Sequence, residues 1–451
     1  MENRKFNIRL NSKIPPFNKT INVDSDKSLS IRSILIGSIS QNISTAKNVL
    51  ESEDVKSAIA TCRKLGVKIK KIKTGHYKIY GNGLGSLCAK KNIKINFGNS
   101  GTLARLIIGI LTSTPNIQLK ITGDHSLNKR SMKELIYLMS RFGASFLPKK
   151  KFTLPLKLQS SKEPVGINYT AGESAQLKSA VILAGLNSNG ITNVLEGTQS
   201  RDHTENLLLK NKQAIKINNN NNKKIIKIFG KRSLDPIDID ISGDPSSAAF
   251  FTTLALLNSN SQLKIRNVGL NPTRIGFYKI LKKQKAKIKF LNLKKKNSEV
   301  SGDIIIKSCK LKPLKTKASF YPSTTDEYLL LFLIAALQKG ISKFKGIAGL
   351  ANKESSRAYE MKKILNQIGV KCKLKKDEMI IYGKGMIDAS DKKISIGNLG
   401  DHRIAMCGFI LSILTNAKTS IKNFETVYTS SPSFLKIMRK LGAKFEIKKK
   451  L

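Results

Sequence analysis

The sequence is poor in sulfur, in metal-ligand patterns, in long apolar runs and in acidic residues, and each shortage closes off a class of function. Its five cysteines (Cys62, Cys88, Cys309, Cys372, Cys407) are scattered and form no C-x-x-C pair. That argues against a disulfide framework or a structural zinc site and fits a reducing cytoplasm. His76, His125, His203 and His402 show no metal-ligand spacing, and no catalytic triad can be argued from sequence. Apolar runs such as Tyr328 to Leu337 fall well short of the roughly 20 residues a membrane span needs. Met1 to Lys13 is polar and charged without an apolar signal core, so secretion is not expected. There is no Walker-type phosphate loop, and Gly81-Asn82-Gly83-Leu84-Gly85 lacks the strand–turn–helix context of a dinucleotide loop and reads as a turn.

The shortage of acidic residues is the most pronounced. Thirty Asp and Glu stand against 81 Lys and Arg, a formal net charge of +51. Such a balance raises the question of a nucleic-acid or membrane-surface partner. The lysines, however, are spread along the whole chain and are not regularly interleaved with aromatics, as they would be in a single-strand binder. The reading is a solvated basic surface that helps steer small anions, with no specific nucleic-acid partner and no membrane.

What is present is a chain of 451 residues, 40% hydrophobic, long enough for two or three domains with substantial cores. One stretch draws attention first. Asn99-Ser100-Gly101-Thr102-Leu103-Ala104-Arg105 caps the apolar run Leu106-Ile107-Ile108-Gly109-Ile110-Leu111, which predicts a buried helix with a polar N-terminus. Arg105 lies one turn past Gly101, where free N–H groups and the helix dipole already favour anions. Either a phosphate or carboxylate site or a structural Arg–Asp pair would satisfy it.

The same grammar, a polar cap followed by an apolar helix, occurs six times. The caps are Asp26-Lys27-Ser28, the segment at Gly101, Glu173-Ser174-Ala175-Gln176, Gly243-Asp244-Pro245-Ser246-Ser247, Thr325-Asp326-Glu327, and Gly400-Asp401-His402-Arg403. Markers at Lys27, Gly101, Ser174, Ser246, Asp326 and His402 are spaced by 74, 73, 72, 80 and 76 residues. Each unit also holds an amphipathic helix followed by alternating residues: 54–65, 132–142, 204–213, 277–285, 359–368 and 434–441. The expectation is six units of strands around one buried and one surface helix. The boundary between two groups of three falls near Gly243-Asp244, with residues 1 to about 24 joining the second half. The run Asn218 to Asn222 reads as a low-complexity surface turn.

The caps carry arginines, hydroxyl and amide donors and a few carboxylates, the set that a phosphate-and-carboxylate substrate pair needs. Ser28 and Arg32, four residues apart, share a helix face. Three further charged loops precede the surface helices: Lys129-Arg130, Ser200-Arg201-Asp202-His203, and Lys353-Glu354-Ser355-Ser356-Arg357.

Taken in order, Asp26-Lys27-Ser28-Leu29-Ser30-Ile31-Arg32, Gly98-Asn99-Ser100-Gly101-Thr102 with Arg105, Ser174-Ala175-Gln176, Asp326-Glu327-Tyr328, Lys353-Glu354-Ser355-Ser356-Arg357 and Asp401-His402-Arg403-Ile404-Ala405-Met406 resemble the EPSP synthase (3-phosphoshikimate 1-carboxyvinyltransferase) family over nearly the full chain. The resemblance implies an α/β fold, a two-domain inside-out α/β barrel. It would have six βαβαββ repeats, three per domain, with the active site in the interdomain cleft. The domains expected are 1–24 plus 245–451 and 25–244. It implies a monomeric cytoplasmic enzyme without cofactor or metal. That enzyme would transfer the enolpyruvyl group of phosphoenolpyruvate to the 5-hydroxyl of 3-phosphoshikimate, releasing phosphate.

Position by position, the resemblance assigns Lys27, Ser28, Arg32, Ser174, Ala175, Gln176, Arg201, Asp326 and Lys353 to 3-phosphoshikimate, with Arg201 or Ser200 near its phosphate. It assigns Lys27, Asn99, Gly101, Arg130, Gln176, Arg357 and Arg403 to phosphoenolpyruvate. Asp326 would take the proton of the 5-hydroxyl, Glu354 would protonate the methylene carbon of phosphoenolpyruvate, and Lys27 counts with them as catalytic. Two departures stand out. The segments Gly123-Asp124-His125-Ser126 and Lys129-Arg130-Ser131 lack the prolines usual in that loop, and Thr429-Ser430-Ser431-Pro432 has no lysine where many members carry one. The nearest rival on the same fold, UDP-N-acetylglucosamine enolpyruvyl transferase, uses a loop cysteine in the region of His125, and this chain has no cysteine between Cys88 and Cys309.

Overall fold

The computed structural model describes residues 5–90, 93–220 and 223–449. The chain divides into two units. The amino-half unit is Ser25–Ser242 with the five residues Lys295–Glu299; the carboxyl-half unit holds the residues up to Asp24, Gly243–Lys294 and the chain from Val300 onward.

Among the described residues each unit contains three sheets of four strands, and the sheets repeat one topology. In the amino-half unit, Ile43–Lys47 lies parallel to Asp238–Asp240 on one side and antiparallel to His76–Tyr80 on the other, with Lys68–Lys73 at the edge. The second sheet runs Lys94–Asn96, Gln118–Thr122, Leu156–Gln159, Ser145–Leu147 with the same parallel–antiparallel–antiparallel order. The third runs Asn168–Ala171, Ile191–Glu196, Lys223–Phe229, Ile215–Asn220. In the carboxyl-half unit two sheets borrow strands from the start of the chain. Phe6–Leu10 pairs antiparallel with both Lys418–Ile421 and Glu446–Lys449, and Asn18–Asn22 pairs parallel with Gln262–Gly269.

Inside each unit sit three helices that are apolar on every side, because sheets or other helices cover every side. Lys27–Ile39, Gly101–Thr112 and Ala175–Gly185 contribute to one core, and Pro245–Leu257, Tyr328–Ala336 and His402–Thr415 to the other. The amphipathic helices, such as Glu53–Lys64 and Arg357–Gln367, bury one face only.

The polar caps stop the core helices as their chemistry requires. Asp26 Oδ1 accepts from the Leu29 amide at 2.8 Å, Ser100 Oγ from Leu103, Ser174 Oγ from Leu177, Asp244 from Ser246 and Asp401 from Arg403. The fifth repeat differs. A short helix, Tyr321–Thr324, precedes Tyr328–Ala336, Asp326 lies in the turn between them, and the Glu327 carboxylate accepts from Ser246 Oγ instead of capping its own helix.

Two further sequence expectations change. The helix expected over 204–213 is His203–Leu208, cut short by a turn ahead of the strand Ile215–Asn220. That strand absorbs Asn218–Asn220 of the asparagine run, since a regular ladder with Lys223–Phe229 satisfies the backbone better than an open turn. Asn221 and Asn222 lie outside the described residues.

Candidate functional site

Several expected site residues of the amino-half unit lie in the first turns of its core helices, and Lys27, Arg32, Asn99 and Gln176 are each held by a neighbour. Lys27, at the start of its helix, forms an ion pair with Asp54 at 2.9 Å, both largely buried. Arg32, one turn further on, is buried at 3% exposure. Its Nε donates to Thr204 Oγ1 at 2.8 Å, its Nη2 to Ser179 Oγ at 3.1 Å and its Nη1 to the Ser28 carbonyl at 3.2 Å. These bonds fix the plane and direction of the guanidinium.

The second cap is a compact relay. Asn99 Nδ2 donates to Asp124 Oδ2 at 2.8 Å, and Arg130 Nη2 donates to Asn99 Oδ1 at 2.5 Å and to Ser126 Oγ at 3.2 Å. The loop without prolines is organised by a one-turn helix, His125–Asn128, whose N-cap Asp124 accepts from the Leu127 amide at 2.7 Å. One aspartate therefore caps that turn and orients Asn99. Arg105 is half-buried, and its Nη1 donates back to the Gly101 carbonyl at 3.1 Å. A Cβ on Gly101 would come within 2.8 Å of Arg105 Nη1 and 3.0 Å of Arg130 Nη1, so the missing side chain is what lets two guanidinium groups converge on one helix end.

At the third cap, Ser174, Ala175 and Gln176 are half-buried, and Gln176 Nε2 donates to Thr102 Oγ1 at 3.0 Å. Arg201 is half-buried, immediately after the buried Ser200.

The carboxyl-half unit organises its residues around one side chain. Arg357 is 1% exposed and reaches three carboxylates: Asp401 Oδ2 from Nε at 3.0 Å, Asp326 Oδ1 from Nη1 at 3.3 Å, and Glu354 Oε2 from Nη2 at 2.6 Å. Burial by itself would lower the Arg357 pKa, but Asp401, Glu354 and Asp326 outweigh it and push it above the ordinary arginine value. Arg403 joins the group, with Nε 3.4 Å from Asp326 Oδ1 and Nη1 donating to the Asp326 carbonyl at 3.4 Å. Ser355 Oγ donates to Asp401 Oδ2 at 3.0 Å. Lys353 is half-buried at the end of the short helix Ala348–Asn352. The arrangement sets two carboxylates, Asp326 and Glu354, on one guanidinium with about a fifth of each side chain exposed, while Asp401 is fully enclosed. Partly exposed carboxylates are able to exchange protons with a bound molecule; the enclosed one serves as an anchor. In the segment without a lysine, Ser431 Oγ hydrogen-bonds Ser247 Oγ at 2.7 Å.

Sequence reasoning missed the partners that do the orienting. Asp54, Asp124, Thr102, Ser179 and Thr204 each hold an expected site residue, yet each is an ordinary polar residue whose neighbour is set by packing. One omission did carry a signal. Lys178 stands inside an apolar helix and is 0% exposed, and a lysine at such a position requires buried acidic partners.

Comparison with known proteins finds relatives over nearly the whole chain. The EPSP synthase (3-phosphoshikimate 1-carboxyvinyltransferase) family model matches residues 12–438. A 3-phosphoshikimate 1-carboxyvinyltransferase of Zymomonas mobilis is 36% identical over 438 residues, covering 96% of each chain. One from Sulfurihydrogenibium is 35% identical over 95% of this chain and 98% of its own. A solved EPSP synthase from Acinetobacter baumannii superposes with a TM-score of 0.82 at 33% identity, covering 99% of this chain and 100% of that one. An enolpyruvyl transferase from Streptomyces tendae shares the fold, with a TM-score of 0.75 at 12% identity. With most of its length matched and its residues so arranged, the chain belongs to the EPSP synthase family.

Proposed function

We propose that the protein transfers the enolpyruvyl group of phosphoenolpyruvate to the 5-hydroxyl of 3-phosphoshikimate, giving 5-enolpyruvylshikimate 3-phosphate and phosphate. This is a step of the shikimate route to chorismate and the aromatic amino acids. The observation that carries the reading is the buried Arg357 with Asp326 and Glu354 on its two terminal nitrogens. Enolpyruvyl transfer needs a proton delivered to the methylene carbon and another removed from the attacking hydroxyl, and two differently placed carboxylates answer that need.

In this scheme Glu354 protonates the methylene carbon, the 5-hydroxyl oxygen attacks the adjacent carbon, and Asp326 takes the hydroxyl proton. The resulting tetrahedral ketal phosphate loses a proton from its methyl group as the carbon–oxygen bond to phosphate breaks, so the double bond is restored. Arg357, Arg403 and Arg130, with Asn99, Gly101, Gln176 and Lys27, hold phosphoenolpyruvate. Lys27, Ser28, Arg32, Ser174, Ala175, Gln176, Arg201, Asp326 and Lys353 hold 3-phosphoshikimate. Fixed guanidinium groups orient two anions that would otherwise repel.

The reading extends to two enolpyruvyl-transferase domains, 1–24 with 245–451 and 25–244, in a monomeric cytoplasmic enzyme whose partners are these small anions. No helix among the described residues is long and apolar enough to cross a membrane. The test is phosphate release. It is expected from phosphoenolpyruvate only when 3-phosphoshikimate is present. Release without the acceptor, or none with it, overturns the reading.

A further inference from the structure

A cluster of four charges lies in the core of the amino-half unit, apart from the residues assigned to substrate. Lys178 Nζ is 2.7 Å from Glu196 Oε1 and 2.7 Å from Glu205 Oε1, and all three side chains are 0% exposed. Lys224, paired across the sheet from Glu196, approaches Glu205 at 3.5 Å and completes the balance of two positive and two negative charges. Burial alone would lower the Lys178 pKa, but Glu205 and Glu196 outweigh it and raise it. For Glu196, burial favours the neutral form and Lys178 outweighs it, lowering the pKa. Both shifts favour the charged forms of Lys178 and Glu196. Buried ionic clusters are often no more stabilising than apolar side chains of similar volume, so stability alone does not account for this one.

Its geometry does. Glu196 Oε1, already held by Lys178, also accepts from both the amide (2.8 Å) and the hydroxyl (2.7 Å) of Ser200. The loop from Glu196 is exposed at residues 197–199 and pinned at Ser200, directly before Arg201. The helices Ala175–Gly185 and His203–Leu208 are joined by two adjacent rungs. One is Lys178–Glu205; the next is Thr204 Oγ1 donating to Ser179 Oγ at 2.8 Å, and both hydroxyls of that rung hold Arg32.

We propose that Lys178, Glu196 and Glu205 form a positioning device for the phosphorylated acceptor, pinning Ser200 so that Arg201 is placed and setting the rung that aims Arg32. Ser200 belongs to this device, because its hydroxyl proton is committed to Glu196. The proposal rests on the reading that Arg32 and Arg201 take 3-phosphoshikimate.

The test uses the full chain, with both substrates varied in a phosphate-release assay. Lys178→Met combined with Glu196→Gln removes one charge of each sign, and Ser200→Ala removes only the pinned hydroxyl. Both are expected to raise KM for 3-phosphoshikimate about five-fold or more, the worth of roughly one lost hydrogen bond, while KM for phosphoenolpyruvate stays within about two-fold. Acceptor KM values within about two-fold of the unmodified protein, or an equal rise for both substrates, overturn the proposal. If the double variant does not fold, Ser200→Ala decides by the same criteria. Absence of phosphate release in the unmodified protein is a different failure: it removes the functional reading, and this proposal with it.

Discussion

The two units repeat one topology and load it with opposite chemistry. In the amino-half unit, site residues are held one at a time by separate partners: Lys27 by Asp54, Arg130 by Asn99, Gln176 by Thr102, Arg32 by two hydroxyls. In the carboxyl-half unit, three carboxylates converge on Arg357. Helix N-termini attract anions wherever they occur, so the difference lies in what the side chains add. Distributed donors suit recognition of anions; clustered carboxylates on one guanidinium suit proton transfer. On the proposed reading, one backbone plan carries the acid–base pair in the carboxyl-half unit and a set of separately held donors in the amino-half unit.

If that reading holds, substitutions of the carboxylates Asp326 and Glu354 strike turnover and those of the amino-half donors strike affinity. The largest expected effect is on kcat. Asp326→Ala and Glu354→Ala should each lower it by about two orders of magnitude or more while leaving the fold intact. Near-normal turnover in either variant would remove that residue from the acid–base pair, and circular dichroism with a thermal melt checks the fold.

Next comes the anchor of Lys27. Asp54→Asn loosens an ammonium assigned to both substrates, and KM for both is expected to rise about ten-fold, consistent with loss of a charge-assisted bond. A fall in kcat with unchanged KM values would instead place Lys27 among the reacting groups alone.

A smaller change is expected from Gly101→Ala. Its Cβ would sit 2.8 Å from Arg105 Nη1 and 3.0 Å from Arg130 Nη1, and since these are ends of flexible side chains the cost is displacement, not unfolding. KM for phosphoenolpyruvate should rise by about three- to ten-fold with stability nearly unchanged; an unchanged KM would mean that this helix end does not meet the substrate.

The mildest contrast concerns packing alone. A Cβ on Gly109 would meet the backbone of Ala180, 2.5 Å from its carbonyl oxygen, whereas one on Gly408 meets the tip of the Ile396 side chain. Gly109→Ala should therefore destabilise by about 1–3 kcal/mol, and Gly408→Ala by less because Ile396 is able to turn aside. Chemical denaturation of the two variants compares them directly, and equal losses would show that the helix pair of the amino-half unit yields as readily as a side chain.

Much of this was legible in the sequence where the signal is local. The apolar runs behind Asp26, Ser100, Ser174, Asp244 and Asp401 announce buried helices, and the side chains of these five residues cap them. Exceptions arose where a distant group competed for a local one. Glu327 sits at a cap position, but Ser246, 81 residues away, takes its carboxylate. Asn218–Asn220 look like a turn until Lys223–Phe229 offers a ladder.

The sequence by itself determined the repeat and its period, because helix caps and apolar periodicity depend on neighbours within a few positions. It also drew the resemblance to the EPSP synthase family from ordered motifs. Only the tertiary structure decided which partner each charged group has. Asp54 on Lys27, Asp124 on Asn99, Asp401 on Arg357 and Glu196 on Lys178 are pairings across separate elements. They depend on distance and exclusion of water, and Coulomb and hydrogen-bond energies become selective only when packing has fixed both.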